Sequence, residues 1–116
     1  HQLEPLAMLM GTDAEKVMYT GAGGYHTWCL SYWDGRRAYC NVCAEEPGFT
    51  TRIVHKDRVE TIEINDAFFD AFIASLVEFF RTGKAPVEHS TTVRIMELRE
   101  CCLKAMETPE KWVVVG

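Results

Sequence analysis

The side chains that could do chemistry in this chain are histidines and a glycine-rich stretch. The four histidines are dispersed along the sequence: His1, His26, His55 and His89. His26 begins a predicted strand beside the glycine-rich stretch 21–24, where it could line a cleft, while the other two internal histidines fall in turns and loops typical of solvated side chains. An imidazole is the side chain whose ordinary pKa suits proton transfer near neutral pH. The residues alone therefore offer isolated proton-transfer groups, without a complete catalytic set.

The five cysteines do not form a recognisable metal or redox site. Cys40 and Cys43 form a C-x-x-C string, but no second pair of ligands follows at the spacing that zinc requires. Redox pairs occur at the start of a helix, whereas this pair falls in a predicted strand, where residues three apart point to opposite faces. Cys101 and Cys102 are adjacent in a predicted helix and are interpreted as small buried apolar side chains. The odd count, with Cys29 as the fifth, favours reduced thiols.

The sequence has neither a phosphate-binding motif nor an excess of basic residues. The stretch 21–24 does not fit G-x-G-x-x-G, and no helix follows it to offer N–H donors to a pyrophosphate. The 116 residues contain 17 acidic and 12 basic side chains, a net charge of -5, which argues against nucleic-acid and acidic-membrane binding. No apolar run approaches the roughly 18 residues of a membrane helix, and the first residues lack a signal-peptide pattern. We therefore expect a cytoplasmic protein with neither nucleic-acid nor membrane partners.

Hydrophobic periodicity predicts a short helix, a meander of strands and two longer helices. The first helix starts near His1 or Glu4 and ends at Gly11. Strand patterns and a final apolar strand cover 15–21, 26–33, 36–44, 49–55, 58–64 and 112–115. Asn65 or Asp66 caps the second helix and Gly83 ends it, while Ser90 caps the third. This order predicts an α+β fold with a mostly antiparallel sheet of about five or six strands. The helices should cover one face and leave the other available for oligomerisation.

Two dipeptides predict hairpin turns, Asp34-Gly35 and Lys56-Asp57. A two-residue turn at the first pairs Trp33 with Arg36, which places Cys29 opposite Cys40 on a small apolar face. The other face then carries aromatic and polar side chains: Trp28, Leu30, Tyr32, Arg37, Tyr39 and Asn41. Aromatic and arginine side chains are typical of interfaces, so we expect this second face to mediate self-association.

Two ends of the chain resemble a known family. HQLEPLAMLMG at 1–11 has a His that opens a helix ending at Gly, and FIASLVEFFRTGKAPV at 72–87 closes a helix with a T-G-K-x-P-like turn. RIMEL at 94–98 and the final strand WVVV at 112–115 follow in the same order. In these features the chain resembles the C-terminal domain of the glucose–fructose oxidoreductase / inositol dehydrogenase (Gfo/Idh/MocA) family.

The resemblance implies an NAD(P)-dependent oxidoreductase acting on a sugar, polyol or related compound. It implies an N-terminal Rossmann domain, outside this chain, that holds NAD or NADP and carries the lysine of an E-K-P motif. Residues 1–116 would then be the single C-terminal domain, which supplies a D-x-x-x-H motif, substrate contacts and a sheet for a homodimer or higher oligomer. Only His1 matches that motif, as a catalytic residue of the parent enzyme, and no cofactor is expected on this chain alone. The alternative is a stand-alone dimeric α+β binding module without enzymatic activity.

Overall fold

The computed structural model describes residues 1–45, 49–64 and 68–116, so the predicted cap at Asn65 or Asp66 lies outside the described residues. The chain divides into two compact units. The core unit comprises His1–Glu45 and Glu88–Gly116, and the hairpin–helix unit comprises Glu46–Val87. Each unit is considered by itself below.

The predicted α+β class with antiparallel strands is confirmed, and the strands divide between two sheets. In the core unit the elements are α1 (Leu3–Met10), β1 (Ala14–Ala22), β2 (Tyr25–Tyr32), β3 (Arg37–Cys43), α3 (His89–Glu107) and β6 (Trp112–Val114). They form a four-stranded sheet in the order β3-β2-β1-β6 with the two helices. In the hairpin–helix unit they are β4 (Phe49–Val54), β5 (Val59–Ile64) and α2 (Phe68–Thr82). There β4 and β5 form a two-stranded sheet.

The core lies between the four-stranded sheet and α3. Val17 of β1, Leu30 of β2 and Leu98 of α3 are completely excluded from solvent. Burying each such side chain contributes about 1.5–3 kcal/mol of transfer free energy. Tyr32 is also buried, and its hydroxyl donates to the carbonyl oxygen of Gly11 at 3.0 Å. This bond ties the end of α1 to the tip of the β2–β3 hairpin.

The β2–β3 hairpin differs from the prediction by one residue. Its loop has three residues, because the Tyr32 N–H donates to the Arg36 carbonyl at 3.0 Å and the Gly35 N–H donates back to the Tyr32 carbonyl at 3.0 Å. Gly35 takes a φ of 87°, the left-handed conformation that completes a three-residue hairpin loop. Asp34 holds this loop by accepting from the backbone N–H and the guanidinium of Arg36. The predicted two-residue turn was therefore wrong.

This one-residue shift exchanges the two faces of β2 relative to β3. Cys40 pairs with Trp28 rather than with Cys29, and Ala38 pairs with Leu30. The face toward the helices carries Val17, Tyr19, Trp28, Leu30, Tyr32, Ala38 and Cys40, and is called the inner face. The opposite face carries Lys16, Met18, Thr27, Cys29, Ser31, Arg37, Tyr39, Asn41, Trp112 and Val114, and is called the outer face.

The shift corrects the predicted self-association surface. Trp28, Leu30 and Tyr32 belong to the inner face, with Leu30 and Tyr32 buried in the core, and so cannot form an interface with a second copy. Arg37 and Tyr39 remain on the exposed side, as predicted. The observed register places the larger apolar side chains of β2 against α3. It is the more stable one, because these side chains bury more apolar area than Cys29 and Ser31 would.

Of the three remaining local predictions, two are confirmed and one is wrong. The Lys56-Asp57 turn is confirmed, since the His55 N–H donates to the Arg58 carbonyl at 2.9 Å. The last strand adds to the sheet beside β1, as expected. The third helix begins one residue before Ser90, with Glu88 at the N-cap position, so the predicted Ser90 cap was wrong. Among the described residues, no helix has the length and apolar character needed to cross a membrane.

Candidate functional site

The candidate site lies where the glycine-rich stretch joins β1 to β2. Gly23 and Gly24 form a two-residue turn with φ values of 61° and 84°, and Ala22 pairs with Tyr25 across it. Both positive φ values favour glycine and match a type I′ hairpin. The stretch is therefore a tight turn at the end of the four-stranded sheet.

A tyrosine–histidine pair lies just inside this turn on the inner face. The hydroxyl of Tyr19 and Nδ1 of His26 are 2.8 Å apart, within hydrogen-bond distance. Their ring centroids are 5.9 Å apart, and the Trp28 ring stacks on His26 at 6.0 Å. Trp28 is itself fixed, because its Nε1–H donates to the Cys102 carbonyl of α3 at 2.9 Å. The imidazole is thus held on one side by a hydrogen bond and on the other by an anchored ring.

Gly21 makes room for this pair. A Cβ at this position would lie 2.3 Å from the Tyr19 hydroxyl oxygen and 2.7 Å from the backbone oxygen of Tyr25. Neither distance is tolerated, and the second obstacle is backbone that cannot rotate away. The close approach of the Tyr19 ring to β1 therefore requires glycine at position 21.

The start of α1 lies at the same end of the sheet and in the same layer. The Gln2 side-chain amide donates to the carbonyl of Asn41 at 3.0 Å. Asn41 precedes Val42, and Val42 is the ladder partner of His26. His1, the residue before Gln2, therefore lies near this end of the sheet.

His1 itself is open to solvent. Its side chain is 90% exposed, and its Nδ1 lies 3.5 Å from a carboxylate oxygen of Glu4. A pair this exposed adds little to stability. The structure thus brings the two sequence-predicted histidines, His1 and His26, to one end of the core unit.

The other candidates take no part in the Tyr19–His26 pair. His55 follows β4 in the hairpin–helix unit, with its Nε2 3.3 Å from a carboxylate oxygen of Glu60, and His89 is the exposed first residue of α3. Burial raises the pKa of the Cys40 thiol to about 11 and, with nearby thiols, that of Cys102 to about 12. Such thiols stay protonated at neutral pH and are poor nucleophiles.

Tyr19 is the one site residue that sequence analysis missed. A signal for it exists, since Gly-Gly between two strand patterns is itself a type I′ hairpin motif. A two-residue turn at Gly23-Gly24 pairs Tyr19 with Trp28, as the structure has it, and leaves His26 as their diagonal neighbour on the same face.

The glycine stretch 21–24 does not have the geometry of a phosphate-binding loop. The glycines at 21–24 close a hairpin between two antiparallel strands, and β2, not a helix, follows them. No row of N–H groups at a helix start therefore points toward a pyrophosphate from this stretch.

Comparison of this chain with protein-family models, curated proteins and solved structures finds no match.

Proposed function

We propose that this chain is the substrate-side C-terminal domain of an NAD(P)-dependent oxidoreductase that acts on a sugar, polyol or related compound. The support is the Gfo/Idh/MocA-like sequence pattern together with one observation. His1 presents an exposed imidazole at the start of α1, at the same end of the sheet as the half-buried imidazole of His26. Two imidazoles at one end of a rigid sheet suit the handling of substrate hydroxyls.

In this proposal His1 meets the substrate hydroxyl that loses its proton as the carbon is oxidised. It orients that hydroxyl or relays its proton, while the lysine of the Rossmann domain can serve as principal base. His1 lies two residues before α1, and Glu4 beside Nδ1 leaves Nε2 for the substrate. In this proposal NAD or NADP belongs to the Rossmann domain, and we expect neither to bind this chain alone.

The test is kinetic and uses the parent enzyme. His1→Ala should lower kcat/KM by roughly 10²–10⁴-fold, the range for a positioned proton-transfer group. The affinity for cofactor should stay unchanged, because His1 belongs to the substrate side.

His89→Ala is the matched control, since His89 is also an exposed histidine near a helix start. It should leave kcat/KM at the wild-type value. Wild-type turnover in the His1→Ala enzyme would remove His1 from the mechanism.

We also propose that two copies associate through the outer face. Tyr39 and Val114 are 60% and 73% exposed there. The Trp112 ring on the same face has two cations beside it, with Lys16 Nζ and the Arg37 guanidinium 5.2 and 5.4 Å from its centroid. Exposed aromatic, aliphatic and arginine groups on one flat face are the composition of a protein interface.

Light scattering tests this surface directly. Tyr39→Glu should convert a dimer into a monomer, because an interfacial carboxylate would lose its water without a partner. Met8→Glu is the control, since Met8 is 72% exposed on α1, away from the outer face. A wild-type chain that is monomeric at high micromolar concentration would contradict the proposed dimer.

The same exposed face is the observation that favours the second candidate, a dimeric binding module without catalysis. The two candidates differ in what His1 does. Dimerisation through the outer face in a parent protein that shows no oxidoreductase activity, with or without His1, would favour the binding module.

A further inference from the structure

His26 is more constrained than a histidine that only fills space. Its Nδ1 is bonded to Tyr19, its ring is stacked on Trp28, and position 21 is restricted to glycine so that Tyr19 can reach it. The ring is nevertheless only partly buried. Within the described part of the chain, its Nε2 has no hydrogen-bond partner.

The Tyr19 contact determines what Nε2 can do. A neutral imidazole has one N–H donor and one acceptor nitrogen, so a bond at Nδ1 fixes the role of Nε2. A phenol is the stronger proton donor of this pair and imidazole nitrogen the stronger acceptor, which makes Tyr19 the donor to Nδ1. His26 then carries its proton on Nε2 and presents an N–H donor at the partly open edge of the ring.

We infer that His26 is a second substrate-contacting group, whose Nε2–H donates to an oxygen of the bound sugar or polyol, and that Tyr19 is the positioning residue that fixes this donor. The ligand class rests on the proposed function. The placement rests on the geometry of the core unit. His26 pairs with Val42, and Asn41 beside Val42 accepts a hydrogen bond from Gln2, the residue after His1.

The surroundings suit a hydroxyl-rich ligand. Tyr19 is buried, whereas the rings of His26 and Trp28 beside it are partly exposed on the inner face. Sugars present apolar C–H faces and many hydroxyl oxygens, so a partly exposed indole beside one fixed donor provides both kinds of contact. The hydrogen bond from Trp28 to the Cys102 carbonyl keeps the indole in place before the ligand arrives.

The first experiment is nuclear magnetic resonance on the ¹⁵N-labelled 116-residue chain. Long-range ¹H–¹⁵N spectra above the imidazole pKa should show His26 protonated at Nε2. Tyr19→Phe should abolish this preference, and Tyr25→Phe should preserve it, because Tyr25 is 62% exposed and is not bonded to His26. A His26 protonated at Nδ1, or a preference unaffected by Tyr19→Phe, would overturn the inference.

The second experiment titrates the same chain with sorbitol and with inositol. Either polyol should shift the His26 ring signals, and the shift should be weaker in Tyr19→Phe but not in Tyr25→Phe. If His1 responds and His26 does not, the inference fails and the proposed function stands. If His26 responds and His1 does not, the inference stands and the proposed role of His1 fails. If neither histidine responds to either polyol, the inference is overturned.

Discussion

The core unit and the hairpin–helix unit differ in how far they bury the apolar side chains of their long helices. In the core unit α3 buries Leu98 completely against the sheet. In the hairpin–helix unit none of the residues whose exposure is described is buried, and Phe72 and Phe80 of α2 are 56% and 77% exposed. Of the two helices, α2 carries more large apolar side chains. An apolar stripe in the sequence therefore predicts a helix but not the burial of that stripe, because burial also requires a second layer of structure that fits against it.

The largest expected effect is a difference in the free energy of unfolding between two leucine-to-alanine variants. Leu98→Ala should lower the free energy of unfolding by roughly 2–5 kcal/mol, because it removes buried methyl groups and leaves a cavity. Leu76→Ala in α2 should cost about 1 kcal/mol or less, since this side chain is 39% exposed and little burial is lost.

Urea unfolding followed by far-ultraviolet circular dichroism measures both variants on the whole chain. Tryptophan fluorescence adds a separate readout of the core unit, which contains Trp28, Trp33 and Trp112. Equal losses for the two leucines would mean that α2 is buried in solution and would remove the contrast between the units.

The next largest effect on stability is expected from replacing one of two glycines by alanine. Gly21→Ala should destabilise the core unit by roughly 1–3 kcal/mol, because its Cβ would overlap the Tyr19 hydroxyl and the Tyr25 backbone. Gly83→Ala at the end of α2 should cost about 1 kcal/mol, since its φ of 68° is strained for alanine although nothing lies within 4 Å of the new Cβ.

Readouts that follow each unit distinguish the two glycine variants. Only Gly21→Ala should shift the His26 ring signals, because only that substitution displaces Tyr19. A Gly21→Ala chain with wild-type stability and unchanged His26 signals would contradict the packing described for the sheet end.

The smallest effect is confined to alkaline pH and to the core unit. Burial raises the pKa of Tyr32 from its ordinary 10.0 to about 12. Because the folded-state pKa is the higher one, the protonated phenol stabilises the fold fully below pH 10, and this contribution is lost as the pH rises toward about 12. Cys40 and Cys102, whose pKa values are also raised by burial, act in the same direction.

Urea midpoints measured by tryptophan fluorescence across this pH range provide the check. Tyr32→Phe should flatten the alkaline decline in part, and Tyr39→Phe should leave it unchanged, because Tyr39 is 60% exposed. An identical decline in wild type and in Tyr32→Phe would show that this phenol does not contribute to it.

The candidate site was predictable in part. His26 is a candidate because it begins a strand beside the glycine stretch, and His1 is a candidate only through the family resemblance. Tyr19 does not stand out, because its role depends on which residue lies across the hairpin, and that follows from the turn at Gly23-Gly24. Their shared position also depends on the Gln2–Asn41 bond, which joins residues 39 positions apart and has no local signal.

The sequence by itself determined the element order, the α+β class and the Lys56-Asp57 turn, because periodicity and turn preferences act over a few residues. Only the tertiary structure decided which face of β2 is buried. Asp34-Gly35 is compatible with loops of two or three residues, and successive strand residues point to opposite faces, so one residue of loop length decides every orientation. That choice was made by the apolar area that Leu30 and Tyr32 bury beside Leu98, a contact between segments far apart in the chain.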